Sequence, residues 1–225
     1  MTRLPKTVML VDEIFASIQG ESSDSGKPCV FIRFFGCDIH CSYCDQPQDI
    51  KKCKKMRIDD ILKEVRTVGY GIPNICITGG EPLNQWENVY PLVLELCSFG
   101  YNVSIETSGC KPIEQDFYNR SFKYVMDIKC PSSGVADKNV FTNLMGLLPK
   151  DEVKFVISDR RDYEFMVKTL KKYPTSANIL VSPVILEKDG KYEISIGKEL
   201  IEWLLKDQFS KARVQLQIHK FLNVK

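Results

Sequence analysis

Val30-Phe31-Ile32-Arg33-Phe34-Phe35-Gly36-Cys37-Asp38-Ile39-His40-Cys41-Ser42-Tyr43-Cys44 is the stretch on which the reading of this chain turns. Its first half, apolar and closed by a glycine, reads as a buried strand. Three cysteines follow within eight residues, spaced Cys-x3-Cys-x2-Cys, with no local fourth ligand. Thiolates favour zinc or iron–sulfur centres. A structural zinc wants four closed ligands, so it would need Cys53 or a remote cysteine. Three sulfurs fit a [4Fe–4S] cluster that keeps one iron open to a non-protein ligand. His40, inside the loop, reads as a spacer.

Working outward, the chain has 225 residues, 44% hydrophobic and 27% charged, with a formal net charge of +2. That length suits one domain, 1–225, with the cysteine loop at 36–50. The charge is too small to argue for nucleic acid or a membrane surface, and no apolar run approaches a bilayer span. The dense run Lys51-Lys52-Cys53-Lys54-Lys55 reads as a solvated loop. Nine cysteines, an odd number, with no secretory signal read at the start, argue against a disulfide framework and for a reducing cytoplasm. Cys76 and Cys97 read as core residues.

Strands and helices alternate along the rest. After an opening strand near Val8–Val11 and the strand Val30–Phe35, the pattern predicts a helix from Ile58, with Ile58, Ile61, Leu62, Val65 and Val68 on one face. It then predicts strand Asn74–Thr78, helix Gln85–Phe99, strand Asn102–Glu106, a weaker helix Ile113–Asn119, strand Lys123–Ile128 and helix Lys138–Leu147. Strand Val153–Ile157, helix Tyr163–Lys172, strand Asn178–Pro183, a turn at Gly190, helix Lys198–Leu205 and a last strand Val214–Ile218 complete it. Such alternation implies a parallel sheet with crossover helices. Six βα-type strands plus a terminal one are too few for a closed eightfold barrel. The expected fold is α/β, a partial (βα)6-type TIM-like barrel.

Polar motifs recur at the carboxyl ends of these strands: Thr78-Gly79-Gly80-Glu81-Pro82, Glu106-Thr107-Ser108-Gly109, Asp127-Ile128-Lys129 and Ser182-Pro183. In βα barrels the working residues gather at that rim. The two glycines permit close backbone approach by a ligand. In the last strand, alternation sets Gln215, Gln217 and His219 on one face, as for a strand lining a wet cavity.

The cysteine loop, with Tyr43 before its last cysteine, and Gly79-Gly80-Glu81-Pro82 together resemble the radical S-adenosylmethionine superfamily. A narrower resemblance covers nearly the whole chain. It rests on Ser17-Ile18-Gln19-Gly20-Glu21, Phe31-Ile32-Arg33, Gly36-Cys37-Asp38, Tyr43-Cys44-Asp45 and Gln215-Leu216-Gln217-Ile218-His219-Lys220. These are similar to the 7-carboxy-7-deazaguanine synthase family of queuosine and 7-deazapurine biosynthesis. The resemblance implies a carbon–nitrogen lyase that converts 6-carboxy-5,6,7,8-tetrahydropterin to 7-carboxy-7-deazaguanine with loss of ammonia. In such enzymes Cys37, Cys41 and Cys44 would hold the [4Fe–4S] cluster. S-adenosylmethionine bound there would yield a 5′-deoxyadenosyl radical that takes hydrogen from the pterin.

By the same resemblance, Tyr43, Gly80, Glu81, Glu106, Ser108, Cys130, Ser132 and Ser182 would contact S-adenosylmethionine. Ile18, Gln19, Gly20, Glu21, Arg33, Thr78, His219 and Lys225 would contact the substrate. Gln19 and Glu21 supply the donor and acceptor mix that an aminopyrimidinone edge requires, and Arg33 can grip a carboxylate bidentately. Many relatives place Thr or Ser two residues after the last cysteine, where it helps bind Mg²⁺. Gln46 stands there in this chain, and an amide oxygen can ligate Mg²⁺. Some relatives use their terminal carboxylate, often from proline; here that position is Lys225. An electron donor such as flavodoxin or ferredoxin and a homodimeric state complete the expectation. Two other readings differ in class: an activase that installs a glycyl radical on a partner protein, and a non-catalytic metal-binding module.

Overall fold

The computed structural model describes residues 8–42, 44, 46, 49–113, 121–188 and 190–225. Strand β1 (Met9–Ile18) runs antiparallel to β2 (Pro28–Phe34), and the short β3 (Lys54–Met56) pairs with the start of β1. Helix α1 (Ile58–Gly69) follows, then β4 (Asn74–Gly79), α2 (Trp86–Ser98), β5 (Asn102–Thr107) and β6 (Lys123–Ile128). A one-turn α3 (Asn143–Gly146), β7 (Glu152–Ile157), α4 (Arg160–Lys172) and β8 (Asn178–Pro183) come next. The chain ends with the hairpin β9 (Ile185–Lys188) and β10 (Lys191–Ile194), α5 (Gly197–Lys206), β11 (Ala212–Val214) and α6 (Ile218–Leu222).

One nine-stranded sheet has the order β11-β8-β7-β6-β5-β4-β2-β1-β3. From β2 to β11 every pairing is parallel. This is the expected partial barrel: six strands, each returning to pair beside the last, and a short terminal one. The helices cover the outer face. On α1, Ile58, Ile61, Leu62 and Val65 are buried against that face, each contributing roughly 1.5–3 kcal/mol. The Arg57 N–H donates to Asp60 Oδ2 at 3.2 Å and starts the helix. Asp159 does the same for α4, accepting from the Asp162 N–H at 3.0 Å.

Around β1, β2 and β4 the lower inner face is apolar, where Cys29, Phe31, Cys76 and Phe15 pack together. Above them it is polar. A bulge between Val11 and Glu13 shifts the register of β1. Val11 therefore packs under the helices while Glu13 turns into the barrel.

Five expectations need correction. Lys54 and Lys55, expected in a solvated loop, are exposed but pair with β1 as part of β3. The opening strand is longer than predicted, because its polar residues face the barrel interior. The helix expected over Lys138–Leu147 shrinks to α3. Asn139 donates to the Lys129 carbonyl at 2.8 Å, and Asn143 to the carbonyls of Gly109 and Lys111 at 3.2 and 2.8 Å. These asparagines serve the neighbouring strand ends instead of a helix. The turn at Gly190 joins two unforeseen strands, β9 and β10. The last strand stops at Val214: Gln215 still donates from its N–H to the Val181 carbonyl at 3.0 Å, but the Ile218 N–H has crossed to Gly20 O at 3.0 Å. The helix expected over Ile113–Asn119 lies largely outside the described residues. Among the described residues, no helix is long and apolar enough to cross a membrane.

Candidate active site

At the carboxyl end of β2 the backbone turns at Gly36, with φ of +101°, into the cysteine loop. That loop lies directly on the Gly79-Gly80 turn. The Gly80 N–H donates to Phe34 O at 3.0 Å and the Glu81 N–H to Gly36 O at 2.8 Å. A Cβ on Gly79 would sit 2.1 Å from Phe34 O, and one on Gly80 2.2 Å from Gly36 O. The glycines thus admit the chain's own cysteine loop, a tighter requirement than ligand approach. Glu81 is buried, accepting from Leu83 N–H at 3.0 Å, Thr107 Oγ1 at 2.8 Å, Ser108 N–H at 2.8 Å and Ser108 Oγ. Asp38 takes Lys111 at 2.8 Å and Asn84 at 2.6 Å, and Ser42 Oγ donates to Ser132 O at 2.7 Å. Three strand ends therefore hold the loop in place.

Cys37, Cys41 and Cys44 all line one cavity of about 1160 Å³. Partial burial raises the Cys37 and Cys41 thiols, and their neighbouring sulfurs add to it; Lys129 opposes the rise. Among the described residues no three His, Cys, Asp or Glu side chains converge to hold a single metal ion. Cys53 faces elsewhere, with Sγ 3.8 Å from Asp12 Oδ1 and 3.4 Å from Asp49 O. Three thiols spread along a cavity wall, with open space before them, fit an iron–sulfur cluster, where each thiolate takes a different iron. They do not match a closed zinc cage. Gln46 borders the same space.

The loop between β1 and β2 forms the opposite, amino-terminal floor. It is closed on itself by Gln19 N–H to Lys27 O at 2.8 Å and Gly26 N–H to Gln19 O at 2.7 Å. A buried clamp fixes it from below. Ser23 bonds Glu152 through both its N–H and its hydroxyl, and Lys123 reaches Glu152 at 2.7 Å and Asp24. Gln19 is 4% exposed; its Oε1 accepts from Glu21 N–H at 3.1 Å and its Nε2 donates to Glu106 Oε1 at 3.2 Å. Thr78 Oγ1 donates to the other Glu106 oxygen at 2.8 Å.

Glu21 points into the cavity between Lys154 and Gln217, each on one carboxylate oxygen. Burial alone would push this carboxyl up; Lys154 and the Gln217 bond overcome it and hold it well below the usual range. Lys154 also meets Asp127 Oδ2 at 3.1 Å, and Lys129 meets the same oxygen at 3.3 Å. Asp127 Oδ1 is buried with no partner among the described residues. Burial opposes the charge of both lysines, yet the facing carboxylates, Asp127 first, raise them. Higher on the wall, Arg33 Nε pairs with Glu13 at 3.1 Å, and Arg33 and Lys225 both lie over the Phe15 ring, 5.6 and 5.0 Å from its centroid.

The tail closes the open side of the barrel. Ser17 Oγ donates to Lys225 O at 2.6 Å, and a Cβ on Gly20 would fall 1.9 Å from His219 Nδ1, so the imidazole rests against a glycine. Although the segment is no strand, Gln217 and His219 reach the cavity. Gln215 does not: it is buried, accepting from Ser22 N–H at 2.9 Å.

All eight residues assigned to the substrate line this cavity: Ile18, Gln19, Gly20, Glu21, Arg33, Thr78, His219 and Lys225. Of those assigned to the cofactor, Gly80, Glu106 and Ser108 line it, and Tyr43 lies outside the described residues. Four do not line it. Glu81 is spent on its turn, and the Cys130 side chain packs in the helix-covered core. The Ser132 N–H is bonded to Asp162 Oδ1 at 2.9 Å, and Ser182 Oγ is buried without a partner among the described residues. Sequence reasoning missed Lys154 and gave Asp127 no role. The available signal was a lysine inside the apolar strand Val153-Lys154-Phe155-Val156, on its inward face.

A parallel partial barrel with three thiols facing its cavity defines the radical S-adenosylmethionine class, and residues 31–118 match the model of the Radical SAM superfamily. The chain is 37% identical to the 7-carboxy-7-deazaguanine synthase of Koribacter versatilis, over 95% of this chain and 96% of that one. It is 36% identical to the enzyme of that name from Methanospirillum hungatei, over 96% and 86%. The crystal structure of QueE from Escherichia coli shares the fold, with a TM-score of 0.73, 21% identity and 93% of each chain covered. The chain belongs to the 7-carboxy-7-deazaguanine synthase family.

Proposed function

We propose that this protein converts 6-carboxy-5,6,7,8-tetrahydropterin to 7-carboxy-7-deazaguanine with release of ammonia, as a radical S-adenosylmethionine lyase. The observation that carries this reading is one cavity that gathers Gln19 and Glu21 from the first loop and Gln217 and His219 from the tail beneath three cysteines. A cavity of about 1160 Å³ exceeds the usual 300–1000 Å³ of a single small-molecule site, leaving room for cofactor and substrate together.

Cys37, Cys41 and Cys44 would hold the [4Fe–4S] cluster; with S-adenosylmethionine it supplies one-electron chemistry that starts hydrogen abstraction. Gly80, Glu106 and Ser108 would border the S-adenosylmethionine, and Gln46 would stand beside any Mg²⁺. The remaining residues bind and orient. Arg33, its Nε paired with Glu13 at 3.1 Å, would turn its terminal nitrogens to the substrate carboxylate. Glu21 accepts from the amino and ring N–H groups of the pterin edge. Gln19 and Thr78 fix Glu106 between them, and the tail around His219 screens the cavity from water.

In this reading 1–225 works as one domain, because a single sheet runs through it. An external electron donor such as flavodoxin or ferredoxin, a homodimeric state by analogy with similar enzymes, and a cytoplasmic location belong to the same proposal.

The test is anaerobic. Protein reconstituted with iron and sulfide receives dithionite, S-adenosylmethionine and the pterin, and products are followed by mass spectrometry. We expect 7-carboxy-7-deazaguanine with little net loss of S-adenosylmethionine. Formation of 5′-deoxyadenosine without that product would remove the substrate from the reading; absence of both would remove the enzyme class.

A further inference from the structure

We propose that Lys154 is a positioning residue for substrate recognition: it keeps Glu21 a pure hydrogen-bond acceptor, aimed at the N–H edge of the ligand. The inference rests on the pterin reading above. Glu21 sits on the floor loop and Lys154 in the middle of β7, 133 residues away, yet their side chains meet inside the cavity. The side chains of both are nearly buried, 13% exposed for Lys154 and 14% for Glu21.

A carboxyl buried this far would ordinarily take up a proton near neutrality. Protonated, it would present an O–H toward the amino and ring N–H groups of an aminopyrimidinone, donor against donor. A site built to accept from N–H groups discriminates strongly only while its acceptors stay acceptors. The groups facing Glu21 decide this. Gln217 donates from the tail, and His219 adds favourable charge from the same segment. Lys154 is the larger influence, and it faces three carboxylates, Glu21, Asp127 and Glu106. Lys129 also reaches Asp127, at 3.3 Å, so Asp127 keeps a lysine when Lys154 is removed; Glu21 keeps only Gln217 and the weaker influence of His219.

Binding without turnover separates this role from a structural one. Reconstituted enzyme with S-adenosylmethionine and no reductant is titrated with 6-carboxy-5,6,7,8-tetrahydropterin in an anaerobic calorimeter from pH 6.5 to pH 9. For Lys154→Met, Kd should rise about tenfold or more at pH 7, the deficit shrinking to about threefold at pH 9 as Glu21 ionises again. Lys154→Arg should stay within about threefold of wild type throughout. The paired substitution E21Q/K154M leaves no unpaired charge on Glu21 and should bind within about twofold of Glu21→Gln alone. It covers the case in which Lys154→Met alone fails to fold. Wild-type Kd in Lys154→Met at pH 7, a deficit unchanged across pH, or a further tenfold loss in the double variant would overturn the proposal. A wild-type enzyme that binds no pterin would instead overturn the substrate reading, and this proposal with it.

Discussion

At the upper end of the cavity, the wall is built from neighbours in the sheet: β2, the loop that follows it, and the glycine turn at the end of β4. At the floor, side chains from distant segments meet only because the sheet curls: Gln19 bonds Glu106, and Lys154 and Gln217 both reach Glu21. The upper end is held by backbone approach, with amides of Gly80 and Glu81 bonded to carbonyls of Phe34 and Gly36. The floor is held by charged side chains whose burial is opposed in each case by a partner. The two ends should therefore fail in different ways: the upper by steric exclusion, the floor by loss of charge balance.

Substitutions can break this contrast, and the largest effect should come at the upper end. In Gly80→Ala the added Cβ meets a backbone carbonyl 2.2 Å away, which cannot swing aside as a side chain can. We expect a loss of about 3 kcal/mol or more in stability and failure to retain iron, read by thermal unfolding and iron per chain. Near-normal iron loading would mean the loop seats without that contact. At the floor, Gly20→Ala brings a methyl onto His219, 1.9 Å from Nδ1 and 2.8 Å from Cβ; the ring can rotate out but the Cβ cannot, so the tail must shift. That variant should load iron normally while kcat/KM falls roughly tenfold, a shift of about 1.4 kcal/mol.

The charge balance of the floor has a pH signature. Glu21 is held in the fold from its ordinary 4.5 down to about 2. Its contribution is fully present above the unfolded value and is lost as pH falls through the folded one, on the order of 3 kcal/mol in all. Glu21→Gln should flatten the decline of Tm between pH 5 and pH 2.5; an unchanged slope would show that other carboxylates carry the acid transition. The smallest effect belongs to neither end. Tyr70 closes α1 in the left-handed region, φ +43°, while 92% exposed. Tyr70→Gly should raise stability by about 0.5–1 kcal/mol without moving KM, and a change in KM would link α1 to the site.

The same contrast explains what could be read without coordinates. The parallel strands showed as apolar runs, because a strand buried on its helix face keeps that pattern whatever packs against it. The cysteine loop showed because its spacing is local. The hairpin β9–β10 escaped because Glu187 and Lys188 look like loop, and the final strand was drawn too long because the alternation of Gln215, Gln217 and His219 continues past the real end of pairing. There the cavity, not a sheet, selects the polar residues.

By itself the sequence determined the parallel strands, most of the helices between them and the three-thiol loop, which rest on periodicity and short-range spacing, while the family was legible as a resemblance of motifs spread along the chain. Tertiary structure alone decided that Gly79 and Gly80 serve the chain's own loop, that Glu81 is spent on its turn, and that Lys154 meets Glu21. Those facts depend on which buried groups share a low-dielectric space, where an unpaired charge is costly and each ion must find its counterpart. No spacing along a chain records that.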